Sequence, residues 1–309
     1  MILLTSKYVL LLCFLNLTVF DCLDCPKNYF ALPGMDSCHK LLNCNDIEDI
    51  VISKEIIGEG AVKVVYQAFW HGYTLALSTL KNPDFSDDFQ AGLELLKLFN
   101  PSQFIVKLIG FCKKRNMYLT EFHQLGNATN FPHVLKTRSE DCIKTRLSFC
   151  LNYVEILEFI HSTDNGVRVM CDSNDLLKTL SQYLISENLR LVLNDADALP
   201  SVLEENGIKC GHRQIFSDFV APEQHWPYVD MNYDYNLMPS YDEKTDIWKV
   251  PSVCEYFLGN NHNHRVVKYE LFEIHKQCRN TNPDKRPSAS QIKKVYQEVL
   301  SNLPIHLEL

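Results

Sequence analysis

The chain has 309 residues, of which 46% are hydrophobic, and it carries a formal net charge of -8. A chain of this length can bury the core of one large or two modest globular domains. The acidic balance, together with the lack of a basic stripe with interleaved aromatic residues, argues against nucleic acid as a partner.

Residues 1–21 are predicted to form a membrane anchor. The run from Ile2 to Phe20 is 19 residues long, about the length that crosses a bilayer, and it contains one charge, Lys7. No small-x-small cleavage site precedes Cys22, which favours an uncleaved type II signal anchor over a removed signal peptide. The sequon Asn127-Ala128-Thr129 fits a lumenal location for the rest of the chain, because such sites are modified only in exported proteins.

A cysteine-rich segment, residues 22–50, follows the predicted anchor. Four of the 12 cysteines lie between Cys22 and Cys44. Cys22-x-x-Cys25 has the spacing of half a zinc site, but no matching pair follows it. Disulfides are the simpler interpretation in an exported chain, and the sequence leaves their pairing open.

The next part of the chain predicts a small mixed α/β unit. Residues 52–79 show period-two alternation interrupted by glycine turns, which predicts three consecutive strands. The elements predicted after them are a helix over 85–99, strands at Ile105–Ile109 and Met117–Phe122, a break at 125–127, and mainly helical structure from Cys142, including Leu147–His161. Ser86-Asp87-Asp88 is interpreted as the N-cap of the first of these helices.

Two apolar runs in the second half of the chain lead directly into aspartates. Val167–Cys171 and Leu189–Leu193 are predicted as neighbouring strands. They would place two carboxylate pairs, Asp172 with Asp175 and Asp195 with Asp197, at adjacent strand ends. Carboxylates in such positions bind magnesium and accept a proton from a hydroxyl, which are the two tasks of a phosphoryl-transfer site. Solvated turn aspartates explain this stretch alone equally well.

A G-x-G turn, Gly58-Glu59-Gly60, separates the first two predicted strands. Glycines let backbone amides approach phosphate oxygens closely, although hairpins use glycine for conformational reasons as well. The blocks that follow this turn appear in the order found in protein kinases: Lys63-x-Val65, Leu75-Ala76-Leu77, Met170-Cys171-Asp172, Asp195-Ala196-Asp197, Ala221-Pro222-Glu223, Asp246-Ile247-Trp248 and a late Arg286. From Ile52 to about Leu300 the chain therefore resembles a protein-kinase catalytic domain.

This resemblance implies a two-lobed α+β protein-kinase-like fold behind the N-terminal membrane anchor. The N-lobe would span residues 51–124 and the C-lobe residues 125–303. Residues 22–50 would form a disulfide-bonded cap on the N-lobe. The resemblance also implies that Arg286 pairs with Glu223 and that Asp246 begins a helix.

Several kinase positions hold unusual residues. Ser78 stands where kinases have the nucleotide-binding lysine, and Gly92 stands where they have its helix glutamate. These losses suggest an inactive pseudokinase. A repair is available, because Lys63, at the position of the third loop glycine, can point inward and supply the lost charge to the phosphates. Gln182 replaces the metal-binding asparagine, ten residues after Asp172 rather than five.

The motifs that contain these losses resemble those of the protein O-mannose kinase family. They include Gly58-Glu-Gly-Ala-Val-Lys63, the stretch from Val169 to Leu184, Lys209-Cys-Gly-His-Arg213, Asp218-Phe-Val-Ala-Pro-Glu-Gln224 and the stretch from Leu237 to Lys249. The resemblance implies ATP-dependent phosphorylation of the 6-hydroxyl of O-linked mannose, in the GalNAc-GlcNAc-Man trisaccharide on α-dystroglycan. It also implies a location in the endoplasmic reticulum membrane.

Site roles follow from the resemblance and, for Lys63 and the histidines, from the chemistry and spacing of the residues themselves. Asp172 and Lys63 would be catalytic, Asp172 as the base, and Asp195 and Gln182 would bind Mg²⁺, with Asp197 as another available donor. ATP would be held by Gly58, Glu59, Gly60, Lys63, Val65, Ala76 and Glu121. Asp175 is interpreted as a turn or capping residue, and His161 and His212 as structural histidines.

Two other functions stay open at this point. A non-catalytic pseudokinase that binds glycan or protein partners is favoured by the losses at Ser78 and Gly92. A secreted kinase acting on protein serine or threonine would share the site and differ in the acceptor groove. The sequence also leaves the oligomeric state open.

Overall fold

The computed structural model describes residues 24–202, 207–260 and 264–303. Its strands are β1 (Tyr29–Phe30), β2 (His39–Lys40), β3 (Val51–Glu59), β4 (Lys63–Trp70), β5 (Tyr73–Leu80), β6 (Leu108–Cys112), β7 (Met117–Glu121), β8 (Tyr183–Ile185) and β9 (Leu191–Leu193). Its α-helices are α1 (Cys44–Glu48), α2 (Ser86–Phe99), α3 (Phe131–Arg138), α4 (Ile143–His161), α5 (Leu176–Ser181), α6 (Lys244–Leu258), α7 (Arg265–Glu270), α8 (Phe272–Cys278) and α9 (Ala289–Ser301).

An antiparallel five-stranded sheet, in the order β3-β4-β5-β7-β6, forms the first half of the fold. Helix α2 lies between β5 and β6 in sequence, so the predicted order of three strands, a helix and two strands is confirmed. The prediction of a strand at Ile105–Ile109 is wrong in its position, because β6 begins at Leu108. Residues 104–106 bond to Leu193 of β9 instead, which leaves them outside the sheet.

The start of helix α2 also differs from the prediction. Ser86 is the first helical residue, and the N-cap position, Phe85, makes no side-chain capping bond. The capping side chain lies further upstream, where Asn82 Oδ1 accepts a hydrogen bond from the Asp84 backbone N–H at 3.1 Å. The chain therefore enters α2 through the 3-10 turn Pro83–Phe85, which Asn82 caps. The Asn82 side chain accepts from a backbone N–H that has no partner within the turn.

Residues 24–50 pack against the outer part of the sheet. Their disulfides join Cys25 to Cys38 and Cys44 to Cys112. Cys112 lies in β6, so the Cys44–Cys112 disulfide attaches this segment to the sheet. Leu42 exchanges backbone hydrogen bonds with Ile109 and Phe111, both at 2.9 Å. The apolar residues of this interface are Phe30, Leu32, Leu42, Ile47, Ile50, Ala68, Leu75, Leu77, Ile109, Cys112 and Leu119. The disulfide interpretation of the cysteine-rich segment is thus confirmed for Cys25, Cys38 and Cys44, and the structure supplies their pairing.

A second, larger core fills the helical half of the fold and reaches α2. Helix α4 lies against α6 and α9 within it. A third disulfide joins Cys150 of α4 to Cys254 of α6, and a fourth joins Cys171 to Cys210. The mixed α+β class predicted from the sequence is therefore confirmed.

Asp246, in the first turn of α6, fixes the segment that precedes Asp172. Its side chain is 1% exposed, and its Oδ2 accepts a hydrogen bond from the Met170 backbone N–H at 3.0 Å. His161 Nε2 lies 3.2 Å from the same oxygen, so the interpretation of His161 as a structural histidine is confirmed. Lys249, one turn along α6, donates to Ser173 Oγ at 2.6 Å. The segment on both sides of Asp172 is thereby tied to one helix.

No helix in residues 24–202, 207–260 or 264–303 is long and apolar enough to span a membrane. The predicted anchor at 1–21 lies outside the described residues, as do Cys13 and Cys22.

The Glu223–Arg286 ion pair predicted from the sequence is confirmed and yields a stability test. Arg286 donates to both carboxylate oxygens of Glu223, at 2.5 and 2.8 Å, and its side chain is fully buried. Arg286→Met should lower the free energy of unfolding by about 3 kcal/mol, because it leaves a half-buried carboxylate without its partner. Urea unfolding measures this loss.

The matched control is Arg138→Met, which breaks an exposed pair with Glu187. Exposed pairs contribute roughly 0–1 kcal/mol. Equal losses in the two variants would contradict a structural role for the buried pair.

Candidate active site

The register of β4 and β5 explains how Lys63 reaches the interior. Lys63 and Val65 are two residues apart and share one face of β4, and Val65 lies directly opposite Ser78 of β5. Lys63 is therefore a diagonal cross-strand neighbour of Ser78, at a separation that a long side chain can bridge. The residue is 9% exposed, so the lysine points inward beside the position that Ser78 leaves without charge.

The Lys63 ammonium lies between two carboxylates of the segment that follows β9. Its Nζ is 2.5 Å from Asp195 Oδ1 and 3.4 Å from Asp197 Oδ2. Burial alone would lower the pKa of Lys63, but the surrounding Tyr118, Asp195 and Asp197 hold this pKa well above its usual value. Lys63 therefore remains positively charged at neutral pH.

The two aspartates beside Lys63 have opposite protonation behaviour. Burial would raise the pKa of Asp195, but the charge of Lys63 and a hydrogen bond from Asp197 hold this pKa below its usual value. Burial and the neighbouring Asp195 raise the pKa of Asp197 to about 7, against the opposing charge of Lys63. Asp195 is thus an ionised carboxylate, while Asp197 shares a proton with it near neutral pH.

Asp172 lies at the other end of the site and pairs with Lys178. The two side chains are 2.6 Å apart, and the Asp172 side chain is 38% exposed, which leaves it accessible to an acceptor. Asp175 accepts a hydrogen bond from the Lys178 backbone N–H at 2.9 Å, so its interpretation as a cap is confirmed. The sequence interpretation missed Lys178. Lys178 lies three residues after Asp175, the N-cap of α5, and side chains in the first turn of a helix point back toward its N-terminus. This position was the available signal that Lys178 could reach Asp172.

The prediction that Val167–Cys171 forms a strand is wrong. This segment forms an isolated bridge, Arg168 to Ser201, and it makes backbone hydrogen bonds with residues 198, 200 and 202 rather than with β9. Met170 N, between these bonded positions, donates to the Asp246 side chain instead. The strand that pairs with β9 is instead β8. The Asp172 and Asp195 groups therefore do not lie at the ends of two paired strands.

Gln182 follows α5 and directly precedes β8. Its backbone carbonyl accepts from Asn194 N at 2.8 Å, which brings Gln182 alongside the residue before Asp195. The side-chain amide of Gln182 donates to Lys178 O at 3.1 Å. Its nitrogen thus holds the end of α5, and Asp197 offers a carboxylate in direct contact with Asp195.

The predicted nucleotide-binding residues surround the Lys63 end of the sheet. Ala76 shares the inward face with Val65 and Ser78, through the pairing of β4 with β5. Neither Gly58 nor Gly60 has a positive φ. A Cβ at Gly58 would meet Val65 at an ordinary 3.6 Å, and one at Gly60 would meet no protein atom closer than 4.0 Å. The backbone conformation and the packing therefore do not require glycine at position 58 or 60. Close approach of a ligand to the backbone is a remaining reason for glycine there.

Glu121 ends β7 at the junction between the sheet and the helical half. Its carboxylate accepts from the Lys107 backbone N–H at 2.9 Å, and its own N–H donates to Lys107 O at 3.0 Å. Burial would raise the pKa of Glu121, but the hydrogen bond from His123 lowers it below its usual value. The side chain and N–H of Glu121 thus stabilise the junction, and its contact with adenine stays a prediction.

Known proteins resemble this chain over nearly its whole length, although no family model matches it. It is 42% identical over 292 residues to protein O-mannose kinase of Macaca fascicularis, covering 93% of this chain and 83% of that protein. It is 40% identical over 316 residues to protein O-mannose kinase of Homo sapiens, covering 96% and 90%. The Xenopus laevis protein of the same name is 42% identical over 285 residues, covering 90% and 81%.

The α+β fold, the buried lysine between two aspartates and these relatives define a kinase of the protein-kinase-like superfamily. Within that class, the chain belongs to the protein O-mannose kinase family. The predicted resemblance is therefore confirmed, and the chain is a glycan kinase.

The raised pKa of Asp197 gives a pH dependence of stability for the protein in the presence of a chelator. Because its folded pKa is about 7 rather than 3.8, the folded protein binds more protons than the unfolded chain between these values. The free energy of unfolding should therefore fall as pH rises from about 4 to 7, by a few kcal/mol at roughly 1.4 kcal/mol per pKa unit. Asp195, with its lowered pKa, acts in the opposite direction and below this window.

Asp197→Asn should flatten this slope, and Asp164→Asn, which changes an exposed aspartate, should keep it. Urea unfolding at several pH values measures the slope. A slope that persists in Asp197→Asn would contradict the assignment.

Proposed function

We propose that this chain transfers the γ-phosphoryl group of ATP to the 6-hydroxyl of O-linked mannose. The acceptor would be the GalNAc-GlcNAc-Man trisaccharide on α-dystroglycan. The observation that supports activity is the contact of Lys63 with Asp195 and Asp197, at 2.5 and 3.4 Å. It supplies a positive charge where the loss at Ser78 would otherwise leave none, and this favours an enzyme over a binding pseudokinase.

The side chains at this end of the site suit the triphosphate and its Mg²⁺. Magnesium is bound in proteins by one or two carboxylates together with phosphate oxygens and water. Asp195 is an ionised carboxylate, and Asp197 and Gln182 are adjacent oxygen-bearing side chains. Mg²⁺ supplies charge neutralisation of the phosphates when it is bound. Lys63 would hold the phosphate oxygens in the geometry needed for in-line transfer.

Asp172 would act on the acceptor. Its exposed carboxylate accepts the proton of the mannose 6-hydroxyl as that oxygen bonds to the γ-phosphorus and the bond to ADP breaks. Lys178, 2.6 Å from Asp172, would orient the carboxylate toward the acceptor. The phosphoryl group passes to the sugar, and the proton passes to Asp172.

A cavity of about 740 Å³, which begins two residues after Asp172 in the chain, supports a bulky acceptor. Asn174, Asp175 and residues 210–217 line it, and the Cys171–Cys210 disulfide joins its wall to the residue before Asp172. The volume lies within the roughly 300–1,000 Å³ of small-molecule sites. Its amide, hydroxyl and charged side chains offer the donors and acceptors that sugar hydroxyls need.

We also propose a lumenal catalytic domain held in the endoplasmic reticulum membrane by residues 1–21. Two features of the described residues support an oxidising, glycosylating compartment. Disulfides join four pairs of cysteines there. Asn127 of the sequon is partly exposed and caps a 3-10 turn, Ala128–Asn130, in which Thr129 and Asn130 are exposed.

Phosphate transfer to the synthetic trisaccharide tests the proposed reaction. With Mg-ATP, the wild-type lumenal domain should phosphorylate mannose, and Asp172→Asn should reduce turnover by about 10²–10⁴-fold, because general-base assistance contributes that much. Mass spectrometry of the glycan measures the product. No transfer by the wild type would favour the binding pseudokinase, and transfer to peptide serine or threonine instead would favour a protein kinase.

The role of Lys63 has a separate test. Lys63→Ala should lower turnover by about 10²–10³-fold, because it removes the charge that stabilises the transferring phosphoryl group. Lys54→Ala is the matched control, since Lys54 lies exposed on the neighbouring strand β3. Turnover in Lys63→Ala equal to that of the control would refute the assignment.

A further inference from the structure

A closed ring of hydrogen bonds joins helix α6 to the residues on either side of Asp172. Asp246 Oδ2 accepts from the Met170 backbone N–H at 3.0 Å, and Asp246 Oδ1 lies 3.4 Å from Lys249 Nζ. Lys249 donates to Ser173 Oγ at 2.6 Å, and the Ser173 hydroxyl donates to the Met170 carbonyl at 2.5 Å. The ring therefore binds both backbone groups of Met170, one from Asp246 directly and one from Lys249 through Ser173.

The ring is shielded from water, whereas Asp172 is not. The side chains of Asp246 and Lys249 are each 1% exposed, and Ser173 is also 1% exposed. Hydrogen bonds in such surroundings are stronger than in water, and a connected network of them favours one conformation over others. The Asp172 side chain is 38% exposed. A rigid buried network thus supports a carboxylate that an acceptor can reach.

Stability alone does not explain a lysine at position 249. Burial lowers the pKa of Lys249, although the charges of Asp246 and Glu223 oppose this, so the protein holds the ammonium group at a cost in free energy. Apolar residues in place of a buried ion pair are often neutral or stabilising. The hydrogen bond to Ser173 gives Lys249 a role that an apolar residue could not supply.

The backbone around Asp172 forms a tight turn that the ring closes. Ser173 N donates to Cys171 O at 2.8 Å, and Cys171 N donates to Ala198 O at 3.0 Å. A general base must lie within hydrogen-bond reach of the proton that it accepts. The position of this turn therefore decides whether the Asp172 carboxylate meets the acceptor hydroxyl.

We infer that Lys249 and Ser173 are positioning residues for the base Asp172. Asp246 holds the chain before the base, and the bond from Lys249 to Ser173 holds the chain after it. Neither positioning residue touches the reacting atoms, and both act through the backbone that carries Asp172. This inference rests on the proposed phosphoryl transfer and specifies how its base is kept in place.

Two serine variants of the full chain test the inference. Ser173→Ala removes both hydrogen bonds of the hydroxyl and leaves the Lys249–Asp246 pair in place. A displacement of a catalytic group by about 1 Å can cost about 10²-fold in rate, so this variant should lower kcat at least about tenfold, with the Kd for Mg-ATP within about twofold of wild type. Wild-type kcat in Ser173→Ala would overturn the inference.

The matched control is Ser162→Ala. The Ser162 hydroxyl also donates to a backbone carbonyl, that of Glu158 at 2.6 Å, but Ser162 is exposed and lies outside the ring. This variant should keep wild-type kcat. An equal loss of kcat in the two serine variants would contradict a specific role for Ser173.

A double-mutant cycle separates positioning from general destabilisation. A residue that acts through Asp172 loses its effect on turnover when Asp172 can no longer accept a proton, whereas a merely structural residue does not. Ser173→Ala should therefore lower the residual kcat of Asp172→Asn by less than about twofold. Equal fold-losses in the wild-type and Asp172→Asn backgrounds would overturn the inference.

The lysine end of the ring has its own variants. Lys249→Met should lower kcat at least about tenfold, but it also leaves the buried Asp246 carboxylate without its cation and can prevent folding. Adding Asp246→Asn removes that uncompensated charge, so this double variant should fold and should also lose at least about tenfold in kcat. Wild-type kcat in the double variant would overturn the role of Lys249.

Amide hydrogen exchange gives a readout that does not depend on phosphate transfer. In Ser173→Ala, the peptide that contains Met170 and Cys171 should exchange at least about tenfold faster, because loss of the ring makes local opening easier, while peptides of α9 keep wild-type rates. Unchanged exchange at Met170 and Cys171 would overturn the ring as a support. If the wild type transfers no phosphate but exchange responds as expected, the proposed function fails while the ring stands.

Discussion

The site depends on keeping one buried cation charged. Lys63 is almost fully buried, and an ammonium group in such a place tends to lose its proton unless anionic groups surround it. Asp195 and Asp197 provide that surrounding, and they come from a segment 132 residues away in sequence. The small sheet and the helical half must therefore meet with the correct geometry before the lysine can be stable in its charged form.

Several contacts fix the position of the small sheet relative to the helical half. Residues 104–106 bond to Leu193, so the strand that leads to Asp195 is attached directly to the segment entering β6. On α6, Asp246 bonds to the backbone of Met170 before Asp172, and Lys249 bonds to the side chain of Ser173 after it. Asp172 and Asp195 are thus positioned by groups that each have defined partners, and such networks favour one arrangement over its alternatives.

Disulfides reinforce the parts of the fold that hold the site. One joins the segment before the sheet to β6, one joins α4 to α6, and one joins Cys171, beside Asp172, to the cavity wall at Cys210. Each closes a loop of dozens of residues and so restricts the unfolded chain more than it alters the folded one. The catalytic segment is consequently held from two directions, by α6 and by the cavity wall.

The sequence by itself determined the elements whose signals are local. Alternation and glycine turns located β3, β4, β5 and β7, and motif order placed Asp172, Asp195, Glu223 and Arg286. It did not determine that 167–171 avoids regular pairing, that Lys178 faces Asp172, or that Gly92 fits against Asp197. Only the tertiary structure decided these, because each depends on residues distant in sequence that compete for the same backbone group, charge or space. The aspartates that the sequence offered as candidate ligands are, in the folded protein, also the groups that keep Lys63 charged.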